Sequence, residues 1–178
     1  MDRSEYLKLV SEYFYQGEVL GEALTAAYVA LESDPARRHK WATLLQLETE
    51  TKARLRPFLM RLGLSLAQDD VSGRVAEFAN AYASKSWRQH MEEIAGLTDV
   101  YLKQFRAIEA AAPEDEREMA RSMVVHESAL HRFAELELAG DTENSLAEVS
   151  AQLHWPLVHA DSAVVDRING RLSAVASA

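Results

Sequence analysis

Apolar side chains recur every three or four residues through most of this chain, which is the spacing of amphipathic helices. Asp34 and Pro35 are typical of a helix start, and Gly63 and Gly140 are typical of helix ends. Pro57 is expected to kink its helix or to end it early. The pattern predicts an all-α fold with four long helices, over about residues 4–33, 34–62, 86–111 and 113–140.

Shorter helices are predicted between and after the long ones. Residues 72–83 are interpreted as a short crossover helix, although one continuous helix over 72–111 is a competing interpretation. C-terminal helices are expected over 145–176, and Ser145 and Glu148 have the spacing of a capping box at their start. The last of these helices is amphipathic, so we expect it to cover the bundle or to pair with another chain.

Length, charge and composition restrict the class of protein. The 178 residues fit one domain over 1–178, with a four-helix core in 4–140. A net charge of −9 without a cluster of Lys and Arg argues against nucleic-acid binding. No apolar run approaches the ~20 residues of a membrane span, and no signal peptide is apparent at the N-terminus. Because the chain has no cysteine, disulfides and thiolate ligands are excluded. We expect a cytoplasmic protein that binds neither nucleic acid nor membrane.

Two glutamates interrupt the apolar stripes of the predicted helices. Glu127 projects from the face that carries Met123, Leu130 and Ala134, and Glu48 lies near the centre of the stripe of the second helix. A buried carboxylate is costly unless it is paired, protonated or bound to a metal. We therefore predict a helical bundle with carboxylates that point inward.

Four further residues are candidates for the same interior. Glu18 lies on the flank of the apolar side of the first helix. On the third helix His90 falls within the apolar stripe, whereas Glu93 lies about 100° from its centre. His131 lies one turn after Glu127 on the fourth helix.

Each candidate also has a structural interpretation. The two stripe glutamates could form ion pairs with Lys52, Arg54 or an imidazole, since buried charges are usually paired. The glutamates of the first and third helices could be solvated. The two histidines could be satisfied core residues rather than ligands.

One acid on each long helix resembles the ferritin-like, di-metal carboxylate superfamily of the rubrerythrin type. In that family two helices each contribute a Glu and two contribute Glu-x-x-His. The resemblance covers about residues 4–140 and would make 72–83 the crossover of the bundle. It implies oxidation or oxygen chemistry on a small molecule, with iron or manganese as the metal. The corresponding acids are Glu18, Glu48, Glu93 and Glu127.

The sequence departs from the family pattern at both Glu-x-x-His positions. Glu48 is followed by Thr51 where the family has His, and Glu127 is followed by Leu130, with His131 one place late. One residue rotates a side chain by about 100°, so His131 does not simply replace that ligand. Three alternatives stay open: a carboxylate-rich variant site, a single-metal site completed by one of the two candidate histidines, and a vestigial site held by hydrogen bonds.

Motifs of other chemistries are absent from the sequence. His126 and His131 are about 140° apart on a helix, so they do not form the zinc motif His-Glu-x-x-His. There is no Gly-rich phosphate loop and no Gly-x-Ser-x-Gly elbow.

The sequence therefore supports two main hypotheses of function. The first is a variant iron or manganese oxidase or oxygenase that acts on a small molecule. The second is a metal-free, non-catalytic bundle that binds a ligand or dimerises, with its acids held by Lys52 and histidines. A metal-free enzyme that uses a Glu of raised pKa as acid or base is a third interpretation. In each case we expect a homo-oligomer, a dimer.

Overall fold

The computed structural model describes residues 1–157 of the chain. Regular structure in this part is entirely helical, which confirms the all-α prediction. None of its helices is long and apolar enough to cross a membrane. The predicted amphipathic helix after Pro156 lies outside the described residues. The elements are α1 (Arg3–Leu9), a π-helical segment (Val10–Tyr15), α2 (Gln16–Leu31), α3 (Pro35–Arg61), α4 (Ser72–Tyr82), α5 (Trp87–Ala111), α6 (Arg117–Ala139) and α7 (Ala147–Ser150).

Helix limits follow the predicted signals closely. The side chain of Asp34 accepts a hydrogen bond from the Arg37 backbone N–H at 2.9 Å, which caps α3. Gly63 and Gly140 follow α3 and α6 with φ angles of 71° and 84°, a left-handed conformation that glycine adopts without strain. Of the two effects expected of Pro57, the early end of α3 does not occur. The helix continues to Arg61 because its last turn buries apolar side chains in the core.

The crossover helix α4 is separate from α5. Ser86 caps α5: its Oγ accepts from the Gln89 backbone N–H at 3.3 Å, and the Gln89 side chain accepts from the Ser86 N–H at 2.8 Å. This reciprocal pair fixes Ser86 in an extended conformation, which ends any continuation from α4. The competing interpretation of one helix over residues 72–111 is therefore wrong.

The predicted capping box after α6 is not formed. The short helix α7 begins at Ala147, and no side chain caps it. Ser145 is buried instead: its Oγ donates to the Thr142 carbonyl at 3.1 Å and accepts from Lys40 Nζ at 3.2 Å. A contact with α3 thus takes the hydroxyl away from the capping position.

The long helices pack in two pairs, α2 with α3 and α5 with α6. The helix α3 also contacts α6, the π-helical segment contacts α5, and α4 lies against α2. Two apolar clusters fill the interior. One surrounds Phe14, Leu59 and Phe105, and the other surrounds Trp41 and Phe133. Along α3 and α6, a short polar stretch separates the residues of the first cluster from those of the second.

Candidate functional site

Three of the predicted acids lie in the polar layer between the two apolar clusters. Glu18 on α2 is 2% exposed, and Glu48 on α3 and Glu127 on α6 are each 6% exposed. Glu18 had been placed on a flank by its periodicity, yet it is the most deeply buried of the three. Three different helices therefore direct carboxyl groups into one interior region.

The imidazole of His126, on α6, lies close to carboxyl groups from both α2 and α3. Its Nε2 lies 3.2 Å from Glu18 Oε1 and 3.9 Å from Glu48 Oε2. One ligand atom from each of Glu18, Glu48 and His126 falls within 4.8 Å of the others. This geometry brings two carboxylates and an imidazole to a common point, with Glu127 next in sequence to the histidine.

Thr51 holds the other side of the same imidazole. Its Oγ1 lies 3.2 Å from His126 Nδ1, and both residues are buried. Thr51 occupies the position, one turn after Glu48, where the resembled family has its histidine. The chain thus supplies the imidazole from α6 and uses the α3 position to orient it. A hydrogen bond to one ring nitrogen fixes which nitrogen faces the carboxylates.

Burial dominates the electrostatics of the site. It raises the pKa of Glu18 and of Glu127 well above the usual value, and repulsion from Glu48 adds to both. Burial also raises the pKa of Glu48 to about 7, although a hydrogen bond with the Glu18 carboxyl opposes this rise. The pKa of His126 falls to about 3, chiefly because burial disfavours the imidazolium. The imidazole is therefore neutral near pH 7, and the raised pKa values favour protonated carboxyls where no cation is bound.

Among the described residues, one carboxyl oxygen at the site has no N–H or hydroxyl group to donate a hydrogen bond to it. Glu18 Oε2 is fully buried and accepts no hydrogen bond from any N–H or hydroxyl in the described part of the chain. A protonated Glu48 carboxyl can supply a donor, in keeping with the hydrogen bond between Glu18 and Glu48. A proton shared by the two acids or a bound cation would satisfy this oxygen, and an empty ionised site would not.

The expected neutralisation of these acids by Lys52 is wrong. Lys52 is buried but forms its ion pair with Glu22, which also accepts from the Thr49 hydroxyl at 2.8 Å. Glu22 is thus partly buried. Arg54 is exposed and acts on the site only at a distance. Among residues 1–157, no Lys or Arg forms an ion pair with Glu18, Glu48 or Glu127.

Three predicted site residues lie outside this cluster: Glu93 and His90 of α5, and His131 of α6. Glu93 is exposed and pairs with Lys85 at 2.6 Å, so its solvated interpretation holds. His90 is buried, but its Nε2 lies 3.2 Å from the Tyr82 carbonyl and its ring stacks on Tyr82. The Nδ1 of His131 lies 2.8 Å from the Thr98 hydroxyl. These side chains are satisfied by their own neighbours.

Gly21 makes room for one of the carboxyls. A Cβ at this position would lie 2.7 Å from the Glu48 carboxyl carbon, closer than side chains normally approach. The missing side chain therefore allows Glu48 to lie directly against the α2 backbone. This is a close approach for which glycine is required.

A cavity of about 470 Å³ adjoins the cluster. Glu18, Glu48, His126 and Glu127 all contribute to its wall, and most of the remaining wall is apolar. Part of its rim is formed by exposed residues of α5, among them Leu97 at 43% and Val100 at 53% exposed. The cluster is thus buried in the protein yet within reach of a small molecule.

The chain matches no protein-family model, no curated protein and no solved structure. The resemblance to the ferritin-like superfamily therefore stays a prediction.

His126 is the residue that sequence reasoning missed as a site residue. It was considered only together with His131, as a possible zinc pair. A signal was available, because it lies three residues after Met123 and four before Leu130, the spacing of an inward helix face. That spacing places His126 on the buried stripe as clearly as its neighbour Glu127.

Proposed function

We propose that Glu18, Glu48 and His126 bind a divalent iron or manganese ion, and that Glu127 completes the ligand set. The observation that carries this proposal is the buried Glu18 carboxyl, whose Oε2 has no N–H or hydroxyl donor among residues 1–157 and whose Oε1 lies 3.2 Å from Nε2 of the neutral His126 imidazole. Carboxylates and imidazole together are ligands that suit these metals. In this proposal the protein uses dioxygen as the oxidant of a small molecule held in the adjoining cavity.

The charge and geometry of the cluster support a cation. Two ionised carboxylates would balance a divalent ion, whereas no basic side chain in the described part of the chain pairs with them. Ligand bonds of about 2.1 Å allow two ligand atoms to be at most ~4.2 Å apart. Only opposite ligands reach that separation and adjacent ligands lie closer, so the three atoms, which lie within 4.8 Å of one another, would close by on the order of 1 Å around an ion.

The protein residues have distinct tasks in this proposal. Thr51 accepts the Nδ1 proton of His126, so that the Nε2 lone pair faces the carboxylates. Glu127 borders the cavity next to His126 in sequence, so that in this proposal its carboxylate would face both the ion and a bound molecule. The apolar wall keeps bulk water away from these groups. A bound iron or manganese ion would supply the electron-transfer chemistry that the side chains lack.

Metal titration tests the proposal. Protein stripped with EDTA should bind about one equivalent of Mn(II), followed by the EPR signal of the free ion, and about one of Fe(II) without oxygen. Affinity should rise with pH, because binding must displace protons from the carboxyls. Oxygen uptake by the Fe(II)-loaded protein, measured with an electrode, reports the proposed chemistry.

Four variants make this experiment specific. His126→Gln and Glu48→Gln should lower the affinity at least tenfold, while Glu93→Gln and His131→Gln serve as matched controls and should bind like wild type. His131 lies on the same helix as His126, and Glu93→Gln makes the same substitution as Glu48→Gln. Both control residues lie outside the cluster. Failure of the stripped protein to bind either ion, or unchanged binding by His126→Gln, would overturn the proposal.

The second candidate function is a metal-free site. It is favoured by the raised pKa values of the three glutamates, which let a shared proton satisfy Glu18 and Glu48 without an ion. The cluster would then hold a ligand by hydrogen bonds or act as a buried acid. The same titration separates the two, since this candidate requires that neither Mn(II) nor Fe(II) binds.

A further inference from the structure

The cavity beside the cluster has a wall whose chemistry limits what it can hold. Its apolar wall includes aliphatic and aromatic side chains from α2, α3, α5 and α6: Leu20, Leu24, Leu44, Ile94, Phe105 and Leu130. Burial of apolar ligand surface here is worth roughly 25 cal/mol per Å². The main favourable term for binding is therefore contact with an apolar body.

The charges around the cavity decide the polar part of the ligand. Among residues 1–157, its lining includes Glu18, Glu48, Glu93 and Glu127 but no Lys and no Arg. A carboxylate or phosphate would meet acids and find no cation in this wall. A neutral hydroxyl, by contrast, carries no charge that these acids would repel, and it can donate a hydrogen bond to a carboxyl oxygen.

The rim of the cavity suits an apolar molecule as well. On α5, Gly96, Leu97 and Val100 line the cavity and are exposed to solvent. Exposed apolar side chains at the mouth of a pocket are a feature of ligand sites. A Cβ at Gly96 would meet no atom within 4 Å, so the opening is not crowded there.

We infer that this cavity binds a neutral, predominantly apolar small molecule, which enters past Leu97 and Val100 of α5. The cavity volume of about 470 Å³ lies within the range of pockets that hold small-molecule ligands, roughly 300–1,000 Å³. The inference rests on the proposed function in one respect: this molecule would be the substrate of the metal centre. Its binding does not require the metal.

Two dyes with the same ring system test the inference on the full chain in EDTA. N-phenyl-1-naphthylamine is neutral, and 8-anilinonaphthalene-1-sulfonate adds a sulfonate to the same frame. The neutral dye should bind at one site per chain, with increased fluorescence, at least tenfold more tightly than the anionic one. Decan-1-ol should displace it, and decanoate should do so at least tenfold less well.

Variants locate the binding site. Gly96→Trp places a large side chain at the rim, and Leu24→Trp fills the interior from α2. Each should weaken the neutral dye at least tenfold, provided that circular dichroism shows the helices are retained. Gly73→Trp is the matched control, because Gly73 is also a helical glycine with open space, and it does not line the cavity. It should bind the dye like wild type.

The inference is overturned if both dyes bind equally well, or if the folded Gly96→Trp and Leu24→Trp variants bind the neutral dye like wild type. The dye comparison uses wild-type protein, so it stands even if a variant does not fold. Failure here is distinct from failure of the metal proposal. A chain that binds the dye but no metal loses only the metal centre, and one that binds metal but no dye loses only this ligand class.

Discussion

The metal-free protein should lose stability as pH rises, and Glu48 should account for a measurable part of the loss. Burial raises the pKa of this carboxyl from its usual 4.5 to about 7. Between these values the folded protein retains a proton that the unfolded chain has released. The stabilisation is complete below pH 4.5 and is lost as pH rises through about 7.

The size of the effect follows from the two pKa values. The difference between 4.5 and about 7, at 1.36 kcal/mol per pKa unit, corresponds to about 3 kcal/mol in total. Most of it, about 2–3 kcal/mol, falls between pH 5 and pH 8. Glu18 and Glu127 act in the same direction, because their pKa values are also raised.

His126 acts in the opposite direction and must be separated. Its pKa falls from 6.5 to about 3, so the stability that it contributes is present above pH 6.5 and is lost as pH falls towards 3. A comparison with Glu48→Gln removes this contribution, since His126 is common to both proteins. The amide of glutamine has the shape of the carboxyl but does not titrate in this range.

Urea unfolding followed by circular dichroism, in EDTA at constant ionic strength, measures the effect. The free energy of unfolding of wild type relative to Glu48→Gln should fall by about 2–3 kcal/mol from pH 5 to pH 8. Glu77→Gln, which changes an exposed glutamate of α4, is the control and should show little change. An unchanged difference, or a gain by wild type at high pH, would refute the reasoning, because Glu48 would then be ionised in the metal-free fold.

Two further predictions concern the groups around the ligands. Gly21→Ala should displace the Glu48 carboxyl and lower Mn(II) affinity at least tenfold, with little loss of melting temperature. Gly17→Ala on the same helix is the control: its Cβ would make only an ordinary contact with Tyr101, so this variant should bind Mn(II) like wild type. Equal Mn(II) binding by the two variants would contradict this. Thr51→Val should lower Mn(II) affinity by ~10–100-fold through loss of the His126 partner, and Thr51→Ser should restore it. The control is Thr43→Val, also on α3, because the Thr43 hydroxyl donates to the backbone carbonyl of His39. An equal loss of Mn(II) affinity in Thr43→Val would count against a role for the imidazole.

The long helices were predictable because their apolar faces repeat over many turns. The inward position of Glu48 and Glu127 was predictable for the same reason, as each interrupts a stripe of core residues. Their partners were not predictable. Lys52 is one turn from Glu48 on α3, yet it pairs with Glu22 on the neighbouring α2. Spacing along one helix does not reveal which residue of the next helix faces it.

The third long helix shows a second limit of periodicity. The family pattern favours Glu93 as the metal ligand from α5, whereas the apolar stripe favours His90. Neither residue belongs to the cluster, because Lys85 pairs with Glu93 and the Tyr82 carbonyl holds the His90 ring. Both partners lie at or near the crossover helix. A helical wheel of α5 alone contains no information about that neighbour.

Glu18 was misplaced for a different reason, which lies in the backbone. A single angle of about 100° per residue was applied through the first helix, but Val10–Tyr15 is π-helical and turns less per residue. Every side chain after this segment is therefore rotated relative to those before it. Glu18 follows three residues later and is turned from the flank into the interior.

The π-helical segment is held in place by a loop that is distant in sequence. The Tyr15 hydroxyl donates to the Leu66 carbonyl at 3.1 Å, and the Gln16 side chain donates to the Ala67 carbonyl at 2.9 Å and accepts from the Asp69 N–H at 3.0 Å. These bonds anchor the end of the π turn immediately before Glu18. The orientation of the most deeply buried acid therefore depends on contacts with the α3–α4 connection. Because these contacts join segments that are distant in sequence, no local sequence motif could have predicted the polar layer.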